Sequence, residues 1–211
     1  MESLSGLLTR HADRIWRGNM ALPTDQHVST GYQKLDDVIR GGWPTGNLTE
    51  LISTGIGLGE SMLLLPALAT LTQAGKAIAW LSPYDARPYA PALHQNGVDL
   101  SHVIIIAAED HPQRLWAAEQ CLRSGACGAV VLTETQTLTD TLLRRLKLAA
   151  ESGSTTAFVL RTEAVAASSS PAYLRIRVRR EKNSQRSQVS VLKCGGHPPR
   201  SITLDLNAHS H

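Results

Sequence analysis

The chain is poor in aromatic residues, which fill 4% of its 211 positions and include one phenylalanine. Its core must therefore be aliphatic, built from Leu, Ile, Val and Ala. Cysteine is scarce too. Cys121, Cys127 and Cys194 are an odd number without C-x-x-C spacing. Neither a disulfide framework nor, with the histidines scattered, a zinc site is suggested, and no metal is expected. No apolar run approaches the roughly 18 residues of a membrane span. The first residues, MESLSGLLTRHADRIW, mix charge into apolar positions and lack a signal-peptide core. A soluble, cytoplasmic protein without a membrane partner is expected. Charge shows no large excess of either sign: the net value is +3, which permits a nucleic-acid partner without arguing for one. The length suits one α/β domain with a substantial core.

What the chain does have is a glycine-rich loop. Asn47–Pro66 reads as a strand over Leu48–Ile52, a turn rich in glycine, and a helix beginning near Glu60. That layout is the one in which backbone N–H groups and a helix N-terminus cradle phosphate. The working pattern is G-x-x-x-x-G-K-[ST]. The octet here is Thr54, Gly55, Ile56, Gly57, Leu58, Gly59, Glu60 and Ser61. The first glycine is Thr54, and the lysine is Glu60. A carboxylate about 4 Å from a phosphate oxygen repels it by about 4 kcal/mol at an effective dielectric near 20. The loop thus keeps the shape of a phosphate cradle and reverses its charge, so no nucleotide cofactor is expected.

Ahead of the loop, Thr30, Gly31, Leu35, Asp36, Gly41, Gly42, Pro44, Gly46, Glu50 and Leu51 match T-G-x-x-x-L-D-x-x-x-x-G-G-x-P-x-G-x-x-x-E-[LI]. This lead-in resembles that of the RecA/RadA/KaiC superfamily, in which it precedes the phosphate loop. Behind the loop, β and α patterns alternate, implying a mostly parallel sheet flanked by helices. Strands are expected at 77–81, 103–107, 129–132 and 155–160. Helices are expected from Glu60 to Ala74, bent at Pro66, from Asp110 to Gly125, and over 138–151 with Leu142, Leu146 and Ala149 buried. Strands at 173–179, 188–193 and 202–206 are expected to finish the sheet as antiparallel hairpins. Residues 29–206 then form the main domain. Before it, residues 1–28 are an amphipathic helix with Leu4, Leu7, Leu8 and Ile15 on one face, and a connector. That helix is either an arm or packed on its own domain. Residues 207–211 are a frayed tail.

By the same resemblance, an ATPase of this superfamily needs a glutamate after the second strand and an aspartate ending the fourth. This chain has Tyr84 and Thr133 there. Glu134 is one position on, and one step along a strand turns a side chain to the other face. With Glu60 the losses number three, and no catalytic residue is assigned. For nucleic acid, Arg175, Arg177 and Arg179 alternate on one strand, followed by Arg180 and Lys182. The three alternating arginines share one face, which is either a weak face that tracks the phosphates of single-stranded DNA or a solvated outer face.

Over Leu35–Leu206 the chain resembles the ImuA family, RecA-like accessory proteins of bacterial translesion synthesis. The segments that carry the likeness are GGWPTGNLTEL, GESMLLLPAL, YAPAL, LWAAEQCLRSGACGAVVL, RRLKLAAESG and SITLDL. The resemblance implies a RecA-like core derived from a P-loop fold and a non-catalytic assembly role under the SOS response. The implied partners are an ImuB-type Y-family polymerase homologue, an error-prone C-family DNA polymerase and RecA. The SulA cell-division inhibitors, which bind FtsZ, resemble the same core without most of the lead-in and are the alternative. A DNA-dependent ATPase is a third reading, opposed by Glu60. The resemblance also puts the strand 103–107 at the sheet edge. Val103, Ile104, Ile105 and Ile106 are expected to receive a partner's strand there, unless the chain's own tail or N-terminal arm covers them. The helix with Leu4, Leu7, Leu8 and Ile15 is a second candidate contact, giving homo-oligomers.

Overall fold

The computed structural model describes residues 27–54, 60–134, 137–181, 186–195 and 197–206. The expected N-terminal helix, Gly55, Gly57, Gly59, Lys182 and the tail lie outside them.

The lead-in is held by short-range bonds that explain its residues. Asp36 sits in α1 (Gln33–Ile39) and accepts from Ser29 Oγ at 2.7 Å and from the Thr30 amide at 2.9 Å. The chain before α1 is thereby folded back onto it. Strands β1 (His27–Val28) and β2 (Trp43–Pro44) then pair antiparallel, a small ladder that the sequence pattern did not announce. Gly42 permits it: its φ is +123°, and a Cβ there would lie 2.3 Å from the Val28 carbonyl oxygen.

The main sheet is built from β3 (Leu48–Ser53), β4 (Ala77–Ser82), β5 (Val103–Ala107), β6 (Cys127–Thr133), β7 (Thr156–Thr162), β8 (Leu174–Arg180), β9 (Arg186–Cys194) and β10 (Arg200–Asp205). Their order is β10-β9-β8-β3-β7-β6-β4-β5. From β8 to β5 all neighbours run parallel, while β9 and β10 run antiparallel. The mostly parallel α/β sheet was thus legible, and β8, β9 and β10 do pair as the expected antiparallel hairpins; what the sequence did not show is how they join the sheet. β8 lies parallel beside β3, in register Glu50↔Arg175, because the connection from β7 crosses back over the sheet instead of turning tightly.

Helices cover both faces, so the central strands read as continuous apolar runs. On one face Leu35 and Ile39 of α1, Leu68 of α2 (Leu65–Gln73) and Leu93 of α3 (Ala90–Gln95) pack on Leu51, Ile78 and Trp80. The single phenylalanine, Phe158, meets Trp43 edge-on there, at 5.3 Å between ring centroids. On the other face Leu115, Ala118 and Leu122 of α4 (His111–Ser124) and Leu143, Leu146 and Ala149 of α5 (Asp140–Gly153) cover Ala79, Leu81 and Val130.

Two helix starts differ from the sequence reading. The α2 helix begins at Leu65, not Glu60, because Pro66 fits the first turn of a helix and not its interior. The α5 helix begins at Asp140, since Thr139 caps it through the Leu142 amide. That shift leaves Leu142 half-buried and puts Leu143 in the core.

Tyr32, at the start of α1, donates its hydroxyl to the Leu206 carbonyl at 3.3 Å and so joins the two ends of the described chain. Burial, with help from Asp205, pushes its phenol up to about 12. The unfolded chain releases that proton near pH 10, so the native state holds more protons between pH 10 and 12, and stability falls across this window. Urea midpoints should drop from pH 10 to 12, by about 2 kcal/mol for this group alone, and Tyr32→Phe should remove that part of the slope. An equal slope in the variant would put the alkaline loss elsewhere.

Candidate functional site

A cleft of about 520 Å³ opens at the carboxyl ends of the parallel strands, lined among others by Glu60, Ser61, Trp80, Arg87, Tyr89 and Thr133. This is where open α/β sheets bind ligands. Thr54 ends the β3 side and is exposed; Glu60, where the described chain resumes, is buried at 1% exposure. Asp85 adds a second carboxylate to the lining, and Arg87 is its sole Lys or Arg among the described residues. Thr133 is buried, and its hydroxyl accepts from Trp80 Nε1 at 3.1 Å. The indole and hydroxyl fill the strand-end position with a satisfied polar pair. The rim is different in kind. Tyr84 and Tyr89 are 55% and 72% exposed, and the Arg87 guanidinium lies 6.0 Å from the Tyr84 ring centroid. Exposed Tyr and Arg beside a cleft are the residue types that dominate protein interfaces.

Glu134 points to the opposite face from Thr133, as strand alternation requires. There it forms a buried cluster that the sequence reading missed. Arg114 Nη2 donates to both of its carboxylate oxygens at 3.2 Å, and His111 Nδ1 is 3.0 Å away. Arg114 also donates to the Ala108 and Glu109 carbonyls. The cluster ties the first turn of α4 to the end of β6. Its one visible signal was an arginine directly before the apolar positions of that helix.

The arginines of β8 do share one face, and the structure shows what that face meets. Arg175 is buried; its Nε donates to Glu50 at 2.6 Å, and its other nitrogens donate to the Ser168 and Val165 carbonyls at 2.7 and 2.9 Å. Glu50 also accepts from Arg161 Nη1 at 2.7 Å. Arg177 and Arg179 lie 3.7 and 2.6 Å from Glu163. Arg180 is exposed. Arg175 is committed to the interior and Arg180, one step beyond Arg179, belongs to the other face of β8, so any phosphate-tracking face is left to Arg177 and Arg179, with Lys182 outside the described residues.

At the far edge β5 pairs with β4 and, among the described residues, with no other strand. Ile104 and Ile105 are 53% and 42% exposed, while Val103 and Ile106 are half-buried against the two cores. Leu4, Leu7, Leu8 and Ile15 lie outside the described residues. At the opposite ends of the strands from the cleft, the free Cys127 thiol donates a hydrogen bond to the Cys121 sulfur and draws the Cys121 thiol down to about 7. Among the described residues no group of three or more His, Cys, Asp or Glu is placed to hold a metal, and no helix is long and apolar enough to cross a membrane.

The family model described as Cell division inhibitor SulA matches residues 48–157, just over half of the chain. The matched span runs from β3 into β7 and includes Glu60, Trp80, Thr133 and the β5 edge. The lead-in and β8–β10 lie outside it. No curated protein matches the chain.

Removing Glu50 would strand two buried guanidinium groups. Glu50→Ala is expected to destabilise the fold by about 3–5 kcal/mol, read as a lower urea midpoint at unchanged slope. A loss below about 1 kcal/mol would mean that water solvates the arginines in its place.

Proposed function

Because the chain belongs to the family of the cell division inhibitor SulA, we propose that it is a non-catalytic protein of the SOS DNA-damage response that works by holding partner proteins. The observation that carries this reading is the buried Glu60 in the lining of the cleft, with Asp85 beside it in the same lining. A triphosphate there would meet carboxylates where phosphoryl chemistry needs a lysine and a metal. The parallel order β8-β3-β7-β6-β4-β5, with the glycine-rich loop following β3, supports a RecA-like core derived from a P-loop fold.

Within the SOS response, the reading we favour is an ImuA-type accessory role in translesion synthesis, in contact with an ImuB-type polymerase homologue, a C-family polymerase and RecA. The full lead-in and the strands β8–β10, which lie outside the matched span, support it. The second reading is inhibition of FtsZ, favoured by the family description itself. Sedimentation of FtsZ polymers with and without the protein separates the two. A stoichiometric loss of polymer selects the second reading, and unchanged polymer together with binding to the purified polymerase homologue selects the first.

Three outcomes are expected. ATP at millimolar concentration should neither bind nor be hydrolysed, with or without single-stranded DNA. Glu60→Lys should not restore turnover, since Thr133 and Tyr84 still leave metal and water without carboxylates. Phosphate release well above background by the unmodified protein would refute the non-catalytic reading.

Binding to single-stranded DNA should be weak and steeply salt-dependent. The double replacement of Arg177 and Arg179 by Ala should lower the slope of log K against log salt by about 1.4. An unchanged slope would leave these arginines as a solvated, ion-paired face.

Among the described residues no strand pairs with the outer side of β5, where Ile104 and Ile105 are exposed, which suits addition of a partner's strand. Ile105→Pro removes one donor at an edge, where proline is tolerated. Partner binding should fall on the order of tenfold or more while thermal stability stays mostly intact. Full binding by a folded Ile105→Pro variant would exclude the edge.

A further inference from the structure

A second, smaller cavity of about 20 Å³ lies on the sheet face opposite Glu50 and Arg175, where α1 ends against β9 and β10. At that measure it takes one small group and not a nucleoside. Its apolar lining is Val38, Val191 and Pro198; its polar lining is Arg40, His197 and Arg200 around the buried Cys194 thiol. No acidic residue lines it. Among the described residues, no carboxylate pairs with Arg40, His197 or Arg200.

Three separate pieces of local geometry bring the cations together. The turn after β9 closes with the His197 amide donating to the Cys194 carbonyl at 2.8 Å, which brings His197 into the same lining as Cys194. Arg200 stands opposite Val191 in the β9–β10 ladder. Arg40 caps α1 with φ 63° and ψ 51°, a left-handed conformation that strains an L side chain. Glycine would relieve that strain, and glycines occupy the next two positions. A strained arginine before a glycine pair points to a use for its guanidinium. The negative end of α1 is already occupied: the Arg40 and Gly41 amides bond the Asp36 carbonyl, and the Cys194 thiol bonds that of Ile39.

We propose that this cavity is an oxyanion site that takes a single phosphate group. Two guanidinium planes offer paired N–H donors that match a tetrahedral oxyanion, and the imidazole adds a further ring nitrogen. Arg40 and Arg200 are exposed and His197 is half-buried, so an anion can reach all three from solvent. The site is separate from the Glu60 cleft, whose carboxylates would reject the same ligand. Free phosphate and the terminal phosphate of a nucleic-acid strand present the same chemistry to it.

The test titrates the full chain with inorganic phosphate while following the His197 ring resonances by NMR. Arg40→Gly and Arg200→Ala are measured beside the parent. Glycine suits the left-handed cap, so Arg40→Gly should keep or raise the melting temperature, and lost binding in it is not lost fold. A saturable His197 shift in the parent, with affinity weakened on the order of tenfold in each variant, is the expected result. An unmoved His197 ring, or equal affinity in the parent and both variants, overturns the site. A second arm compares a short thymidine oligonucleotide carrying a 5′-phosphate with its 5′-hydroxyl form. Tighter binding of the phosphorylated strand, lost in Arg40→Gly, assigns the phosphate to a strand end; equal binding of both strands, with the phosphate titration positive, assigns it to free phosphate.

Discussion

Glu50 sits in the middle of the sheet with no exposed surface and two arginines on its carboxylate, Arg161 from β7 and Arg175 from β8. These strands flank β3 on either side, so one buried ionic cluster spans the three strands around which the rest is arranged. Its charges tolerate that position only because each finds a partner at 2.6–2.7 Å. Arg175 goes further: by donating to the Val165 and Ser168 carbonyls it fixes the crossover that lets β8 join the parallel set. A glutamate that looks like the end of a lead-in motif therefore ties the three central strands together.

Three of the four buried glutamates among the described residues do different work because of where they stand. Glu50 joins strands, and Glu134 joins a strand to a helix through Arg114. Glu60 lies in the lining of a cleft. Strand alternation separates Glu134 from Thr133, and that single step decides which side of the sheet receives a carboxylate. The cleft side receives a hydroxyl bonded to Trp80, and the far side receives the ion pair.

The surface follows from the same arrangement. The parallel order leaves β5 at one edge with Ile104 and Ile105 exposed, and it gathers Tyr84, Arg87 and Tyr89 at the carboxyl ends of the strands. Contact chemistry thus stands where the sheet ends and where its loops open, while the positions suited to phosphoryl transfer carry acid, hydroxyl or aromatic groups. That combination is what the proposed partner-holding role asks for.

Much was legible in the sequence because it depends on neighbours a few residues apart. The β5 strand over Val103–Ala107, the Asp110 cap and Pro112 at the start of α4, and its glycine stop at Gly125 follow from period, capping and turn chemistry. The charge reversal at Glu60 needed no coordinates either. What the sequence could not supply were contacts between distant segments. Arg175 shows alternation on its strand, but its burial depends on Glu50, 125 positions earlier. His111 and Arg114 gain meaning only when β6 delivers Glu134 beside them, and Arg40 and Arg200 only when α1 ends against the last two strands. Local patterns decide which face a side chain takes; the tertiary structure decides which charge waits on that face, because Coulomb and hydrogen-bond energies depend on distance in space and not along the chain.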